Sequence, residues 1–144
     1  MLEERPVKQE YTGLRDLGLS SRHRRWGFDA PAVDIDFLMI EYDHDAPKAL
    51  IEYKAYQGHK INIETSAIRA VANLAHVSGL PFFVVAYHPK DFWMYIKPMN
   101  KRAMAYLESA DYLSEAEFVR LLYRLRGKVC PLPVIRRCNT QKRG

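Results

Sequence analysis

Residues 33–56 read VDIDFLMIEYDHDAPKALIEYKAY, and the fold turns on how this stretch is parsed. Val33 to Tyr42 is rich in β-branched and aromatic residues and almost wholly apolar in its middle, which predicts a strand. Asp43-His44-Asp45-Ala46-Pro47 predicts a turn. Lys48 to Tyr56 predicts a second strand, so the whole is expected to be a β-hairpin. Charges stand inside both strands, where burial predicts none: Asp34 and Asp36 in the first, Glu52 and Lys54 in the second. Residues two apart in a strand share a face, so each pair points one way.

Hairpin pairing then brings the two pairs together. With Tyr42 opposite Lys48, Asp36 lies opposite Lys54 and diagonal to Glu52. With Tyr42 opposite Ala46, Asp36 faces Glu52 directly. Direct and diagonal neighbours lie roughly 5–8 Å apart, close enough for two carboxylates to share a cation. A slip of one residue sends one pair to the other face and breaks the argument. Asp34 sits one step further from Glu52 in either pairing, so Asp36 is the preferred ligand and Asp34 the competing one. Two neighbouring carboxylates repel, and a hard divalent cation such as Mg²⁺ relieves this with carboxylates, waters and phosphate oxygens as ligands. A lysine beside them orients water or stabilises developing negative charge. The plain alternative is a hairpin with surface carboxylates and a salt-bridged lysine, weakened by the apolar residues around them.

The elements that follow extend the pattern. Ile63 to Val77 predicts a helix, with Ala67, Val71, Leu74 and Ala75 at helical spacing and Gly79 then Pro81 as the stop. Pro81 to Tyr87 predicts a short buried strand, and Phe92 to Lys97 a further one. A helix is expected near Lys101 to Glu108. Another follows Ser114, which forms a capping-box pattern with Glu117 and precedes the stripe Phe118, Leu121, Leu122 and Leu125. Upstream, Thr12 to Leu19 is expected to be a short helix, with a strand near residue 25. A hairpin followed by a crossover helix implies a mixed sheet covered by helices, an α/β or mixed α+β fold.

Asp36, the hairpin and Glu52-Tyr53-Lys54 resemble the PD-(D/E)XK nuclease superfamily, over roughly residues 12–97 and in the order of elements. The resemblance implies a restriction-endonuclease-like αβββαβ core, with residues 101–144 as a basic C-terminal helical extension of one domain. It implies that Asp36 and Glu52 bind the metal, Mg²⁺ or Mn²⁺, that the backbone carbonyl of Tyr53 adds a ligand, and that Lys54 positions or activates the attacking water. The expected activity is hydrolysis of phosphodiester bonds, with DNA the favoured substrate and a homodimer expected by analogy. Ile35 stands where the family pattern has a proline. A non-catalytic nucleic-acid-binding module of the same fold is the alternative.

Other residues are weighed against this site. Arg22, His23, Arg24 and Arg25 precede Trp26, and alternating basic and aromatic groups suit phosphates and a stacked base; a solvated basic turn with Trp26 in the core explains them equally. Gln57 is expected at the strand end beside the site, and Lys97, Lys101 and Arg102 as a nucleic-acid rim. Glu64 is expected as a helix-dipole partner. His44, His59, His76 and His88 are expected to be structural or solvated, and Trp93, Tyr95, Phe82 and Phe83 to be core.

Composition bounds these readings. The 144 residues suffice for one domain, with 48% hydrophobic and 27% charged residues. Residues 101–144 carry 10 Lys/Arg against 4 Asp/Glu, whereas residues 1–100 carry 12 against 13. The net charge of +5 is therefore C-terminal, and the tail from Arg136 to Arg143 is expected to touch phosphates or stay loose. No apolar run approaches the ~20 residues that span a bilayer, and the charged N-terminus has no signal core, so a cytoplasmic protein is expected. Cys130 and Cys138 are expected to be free thiols.

Overall fold

The computed structural model describes residues 18, 21, 22, 25, 35–41, 43–56 and 63–140. Five strands form one mixed sheet: β1 Phe37–Glu41, β2 Ala46–Ala55, β3 Phe82–Tyr87, β4 Met94–Pro98 and β5 Asp111–Leu113, in that spatial order. Among the described residues, four helices with both ends in view accompany them: α1 Ser66–Ser78, α2 Lys101–Met104, α3 Glu115–Leu125 and α4 Leu132–Thr140. Only β2 and β3 run parallel, joined by α1 as a crossover; the other pairs are antiparallel. None of the described helices is long and apolar enough to cross a membrane.

The hairpin departs from expectation in two instructive ways. Its turn is shorter, Asp43 to Asp45, with Asp45 at φ +50°, a left-handed conformation that Asp tolerates better than most residues. Ala46 and Pro47 accordingly belong to β2. Beside the turn, Glu41 pairs with Ala46 and Ile40 with Pro47, which is the one-residue slip that sends Asp36 and Glu52 to opposite faces. A bulge then takes up Lys48, and the pairing resumes as Met39 with Ala49, Leu38 with Leu50 and Phe37 with Ile51. Continued one position beyond the ladder, this register would set Asp36 across from Glu52. Pro47, which has no N–H to donate, sits at the irregularity.

Both faces of the sheet are covered, which is why β3 is an unbroken apolar run. On one face Ala49, Ile51, Phe83, Val85, Met94 and Ile96 pack against Ala103 and the α3 residues Phe118, Leu121 and Leu125. On the other, Leu50, Phe82 and Val84 pack under Ile68, Val71 and Ala75 of α1. The segment expected as an added C-terminal extension therefore supplies one of the two covering layers.

Caps set the helix ends. The Thr65 hydroxyl accepts the Ile68 N–H at 3.2 Å, so α1 starts at Ser66, and Ile63 packs as an extended residue against the Leu50 cluster. Gly79 closes α1 at φ +71°, a conformation costly to residues with a Cβ. Ser114 and Glu117 form the expected capping box, each side chain bonding the other's backbone N–H at 3.2 Å.

Asn100 joins three elements. Its Oδ1 accepts from Ala103 N–H at 2.9 Å and Phe82 N–H at 3.3 Å, and its Nδ2 donates to the Leu80 carbonyl at 2.9 Å. Asn100→Ala removes the α2 cap and leaves the Phe82 N–H and Leu80 carbonyl without their partner. The expected cost is about 2–3 kcal/mol in urea unfolding. A loss under about 0.5 kcal/mol means that water replaces these bonds.

Several elements lay outside the expectation. β4 starts at Met94 rather than Phe92, because Phe92 turns at φ +51° and its N–H bonds the His88 carbonyl. α2 stops at Met104 instead of Glu108. β5 is only three residues, too short for a period-two signal. α4 was masked by Pro131 and Pro133, which flank its first residue, where proline is tolerated; residues 136–140 are thus helical, not loose. Gly18 and Arg25 are helical, so no strand passes through residue 25. Cys130 and Cys138 are free and buried, and burial pushes both thiols up.

Candidate functional site

β2 alternates strictly, and its alternation builds the site. Tyr53 points into the α3 side, where its ring meets Phe37 at 5.0 Å and Phe118 at 6.2 Å, both edge-on. Burial pushes its hydroxyl up to about 12, so it stays neutral. Glu52 and Lys54 therefore point to the α1 side, beyond the part that α1 covers. Their side chains form an ion pair, Nζ to Oε1 3.1 Å, at 41% exposure for Lys54 and 13% for Glu52.

Asp36 is held from the neighbouring strand. Its Oδ2 accepts the Tyr53 N–H at 3.0 Å, taking the place of a ladder carbonyl, and β1 begins only at Phe37. In an extended strand the N–H and C=O of one residue leave the same edge, so the Tyr53 carbonyl also faces β1 and Asp36. The site thus gathers Asp36, Glu52, the Tyr53 backbone and Lys54.

The apolar surroundings inferred for these charges need correction. Asp36 is exposed, and so are Ile35, Phe37, Leu38 and Ile40 beside it. β1 stands at one edge of the sheet among the described residues, so its apolar sequence does not imply burial. No group of three or more His, Cys, Asp and Glu side chains is gathered among the described residues. Two carboxylates plus a carbonyl nevertheless form an oxygen-only set suited to Mg²⁺ or Mn²⁺, which complete their shells with water and substrate oxygens.

The other predicted residues divide. Arg22 and Arg25 are helical and exposed; His23, Arg24, Asp34 and Gln57 lie outside the described residues. Lys97 pairs opposite Val84, which pairs opposite Glu52, so it shares the α1 face with the site. Lys101 and Arg102 do not join it. They follow Asn100 at the Phe82 end of the strands, roughly 13 Å along the sheet from Lys54 at 3.3 Å per residue, and the Arg102 guanidinium lies beside Gly79. Trp93 and Tyr95, expected in the core, are surface residues, whereas Phe82 and Phe83 are fully buried.

One charged residue escaped notice. Glu41 is buried at the end of β1; its Oε2 accepts from Arg126 Nε at 3.0 Å and its Oε1 from the Asp43 N–H at 3.1 Å. Lys128 Nζ adds a contact to Asp43 at 3.7 Å. The pair pins the hairpin to the end of α3, and 85 residues separate its members, so no local signal announces it. The Arg126 hydrogen bond, then that of the Asp43 N–H, holds the Glu41 carboxyl below its usual range. A depressed folded-state value stabilises above the unfolded value of about 4.3 and is lost as pH falls through the folded one. The melting-temperature advantage of the wild type over Glu41→Gln is therefore expected to shrink between pH 6 and pH 3. A constant gap rules this ion pair out as a source of acid sensitivity.

Compared with family models, curated proteins and solved structures, the chain matches none.

Proposed function

We propose that this protein is a metal-dependent nuclease with a restriction-endonuclease-like core, acting on phosphodiester bonds, with DNA the favoured substrate. The observation that supports the reading is the Lys54–Glu52 ion pair on β2 beside Asp36, whose Oδ2 accepts the N–H of Tyr53 between them.

Each group has a part. The Tyr53 N–H uses one lone pair of Asp36 Oδ2 and orients the carboxylate, which keeps further acceptor sites. Glu52 is mostly shielded on its strand, and its carboxylate is held by the ion pair to Lys54. Asp36, Glu52 and the Tyr53 carbonyl would hold a divalent cation, which would supply Lewis-acid polarisation of a phosphoryl oxygen. Lys54 is exposed enough to meet substrate, and its ammonium donates to an attacking water or to the charge that gathers on the phosphoryl oxygens. The ion pair with Glu52 keeps that ammonium within reach of the reacting centre.

The test is cleavage of supercoiled, linear, branched and single-stranded DNA with Mg²⁺, Mn²⁺ or EDTA. Metal-dependent product supports the enzyme. Salt-sensitive binding with no product from any substrate supports the binding module instead.

A further inference from the structure

The α1 face of the sheet continues past the carboxylates to two exposed tyrosines. Lys54 pairs opposite Ala86, Ala86 opposite Tyr95, and Tyr95 opposite Tyr112, so these four residues form one line across β2, β3, β4 and β5. Met94, Ile96 and Leu113 pack toward α3, which turns Tyr95 and Tyr112 to the α1 side with Lys54. The adjacent line runs from Glu52 through Val84 to Lys97. Val84 and Ala86 between them are buried, Val84 beneath α1, so Lys97, Tyr95 and Tyr112 form an exposed group at the β4–β5 end of this face.

The two tyrosine rings lie 4.8 Å apart at 49° and are 37% and 57% exposed. A cross-strand aromatic pair stabilises a short edge strand by up to about 1 kcal/mol, which accounts for their contact. It does not account for their alignment with Lys54 and Lys97. A second ring pair, Tyr56 and His88 at 4.5 Å, stands just past the ends of β2 and β3.

We propose that this half of the α1 face cradles single-stranded nucleic acid, a base resting on the Tyr95–Tyr112 pair and a phosphate held by Lys97. Rings give sequence-tolerant stacking, and neighbouring cations track the backbone. Lys97 supplies that cation two residues from Tyr95, on the same face of β4. A paired duplex keeps its bases stacked on one another and offers only their edges, so the ring faces have no use for it. Strand spacing of about 4.8 Å puts Tyr95 roughly 10 Å from Lys54, about three stacked nucleotides at 3.4 Å each. The inference rests on the nuclease reading for the bond that is cut, while the binding surface is tested separately.

The experiment is fluorescence anisotropy of a short labelled oligothymidylate in EDTA at low fixed salt. The proteins are the wild type and the paired substitutions Tyr95→Phe/Tyr112→Phe, Tyr95→Leu/Tyr112→Leu and Tyr95→Ala/Tyr112→Ala. The Phe pair is expected to bind within about two-fold of the wild type, and the Leu and Ala pairs about ten-fold or more weakly. Leucine keeps apolar volume on the strands, so the Leu pair answers the question if the Ala pair fails to fold. Wild-type affinity in the Leu pair, no binding by the wild type, or a duplex that binds as tightly and depends equally on the rings overturns the proposal. Ring-dependent binding without metal-dependent cutting supports the cradle and sinks only the nuclease reading. Cutting of single strands that the Leu pair performs as well as the wild type does the reverse.

Discussion

Glu52→Ala and Lys54→Ala are each expected to lower metal-dependent cleavage by about 10²–10³-fold or more while leaving the fold intact. The two effects separate because of where the side chains sit. Lys54 is 41% exposed, and an ion pair open to solvent contributes about 0–1 kcal/mol to stability. Removing the exposed Lys54 therefore shifts the melting temperature by a few degrees at most. Lys54→Arg is not expected to restore activity, because a guanidinium is longer, planar and differently directed. Asp36→Ala is expected to lose activity too, and it also frees the Tyr53 N–H at the start of β1. Product formation from defined oligonucleotides, beside thermal unfolding, checks all of these. Undiminished metal-dependent cutting by both the Glu52 and Lys54 variants would falsify the assignment of the site.

Phe83→Ala is expected to produce the largest loss of stability, about 3–5 kcal/mol. Phe83 is fully buried in the layer between the sheet and α3, among Ile51, Val85, Phe118 and Leu121. Its removal loses the transfer free energy of a large ring and leaves a cavity that two rigid layers cannot close. For a domain whose whole stability is of order 5–15 kcal/mol, this approaches unfolding at ordinary temperatures. Leu132→Ala is the control: Leu132 is largely exposed at the start of α4 and should change stability by under about 0.5 kcal/mol. Urea unfolding of the two variants measures both. Similar losses in the two mean that the α3 layer does not form the core.

Much of this arrangement is legible locally. The unbroken apolar run from Pro81 to Tyr87 marks a strand covered on both faces, as β3 is. The Gly79–Pro81 stop and the Ser114–Glu117 box identify helix ends because capping chemistry involves residues only a few positions apart. The period of two alone sets Glu52 and Lys54 on one face. β5 and α4 leave weaker traces, one being too short for periodicity and the other disguised by prolines that its first turn accommodates.

The sequence by itself determined the hairpin, the crossover helix and the pairing of charges along β2, since each depends on neighbours in the chain. Tertiary structure alone decided that Asp36 meets the Tyr53 N–H, beside Glu52 and Lys54. The turn imposes the wrong parity, and the bulge at Lys48 restores it, at the energetic instance of burying Ala49 and Ile51 rather than exposing them. It alone decided that β1 lies at an edge of the sheet among the described residues, that Glu41 finds Arg126, and that Lys97, Tyr95 and Tyr112 line up with Lys54. These are contacts between distant segments, and strand order and register have no local code: they follow from which packing of the whole chain buries the most apolar surface.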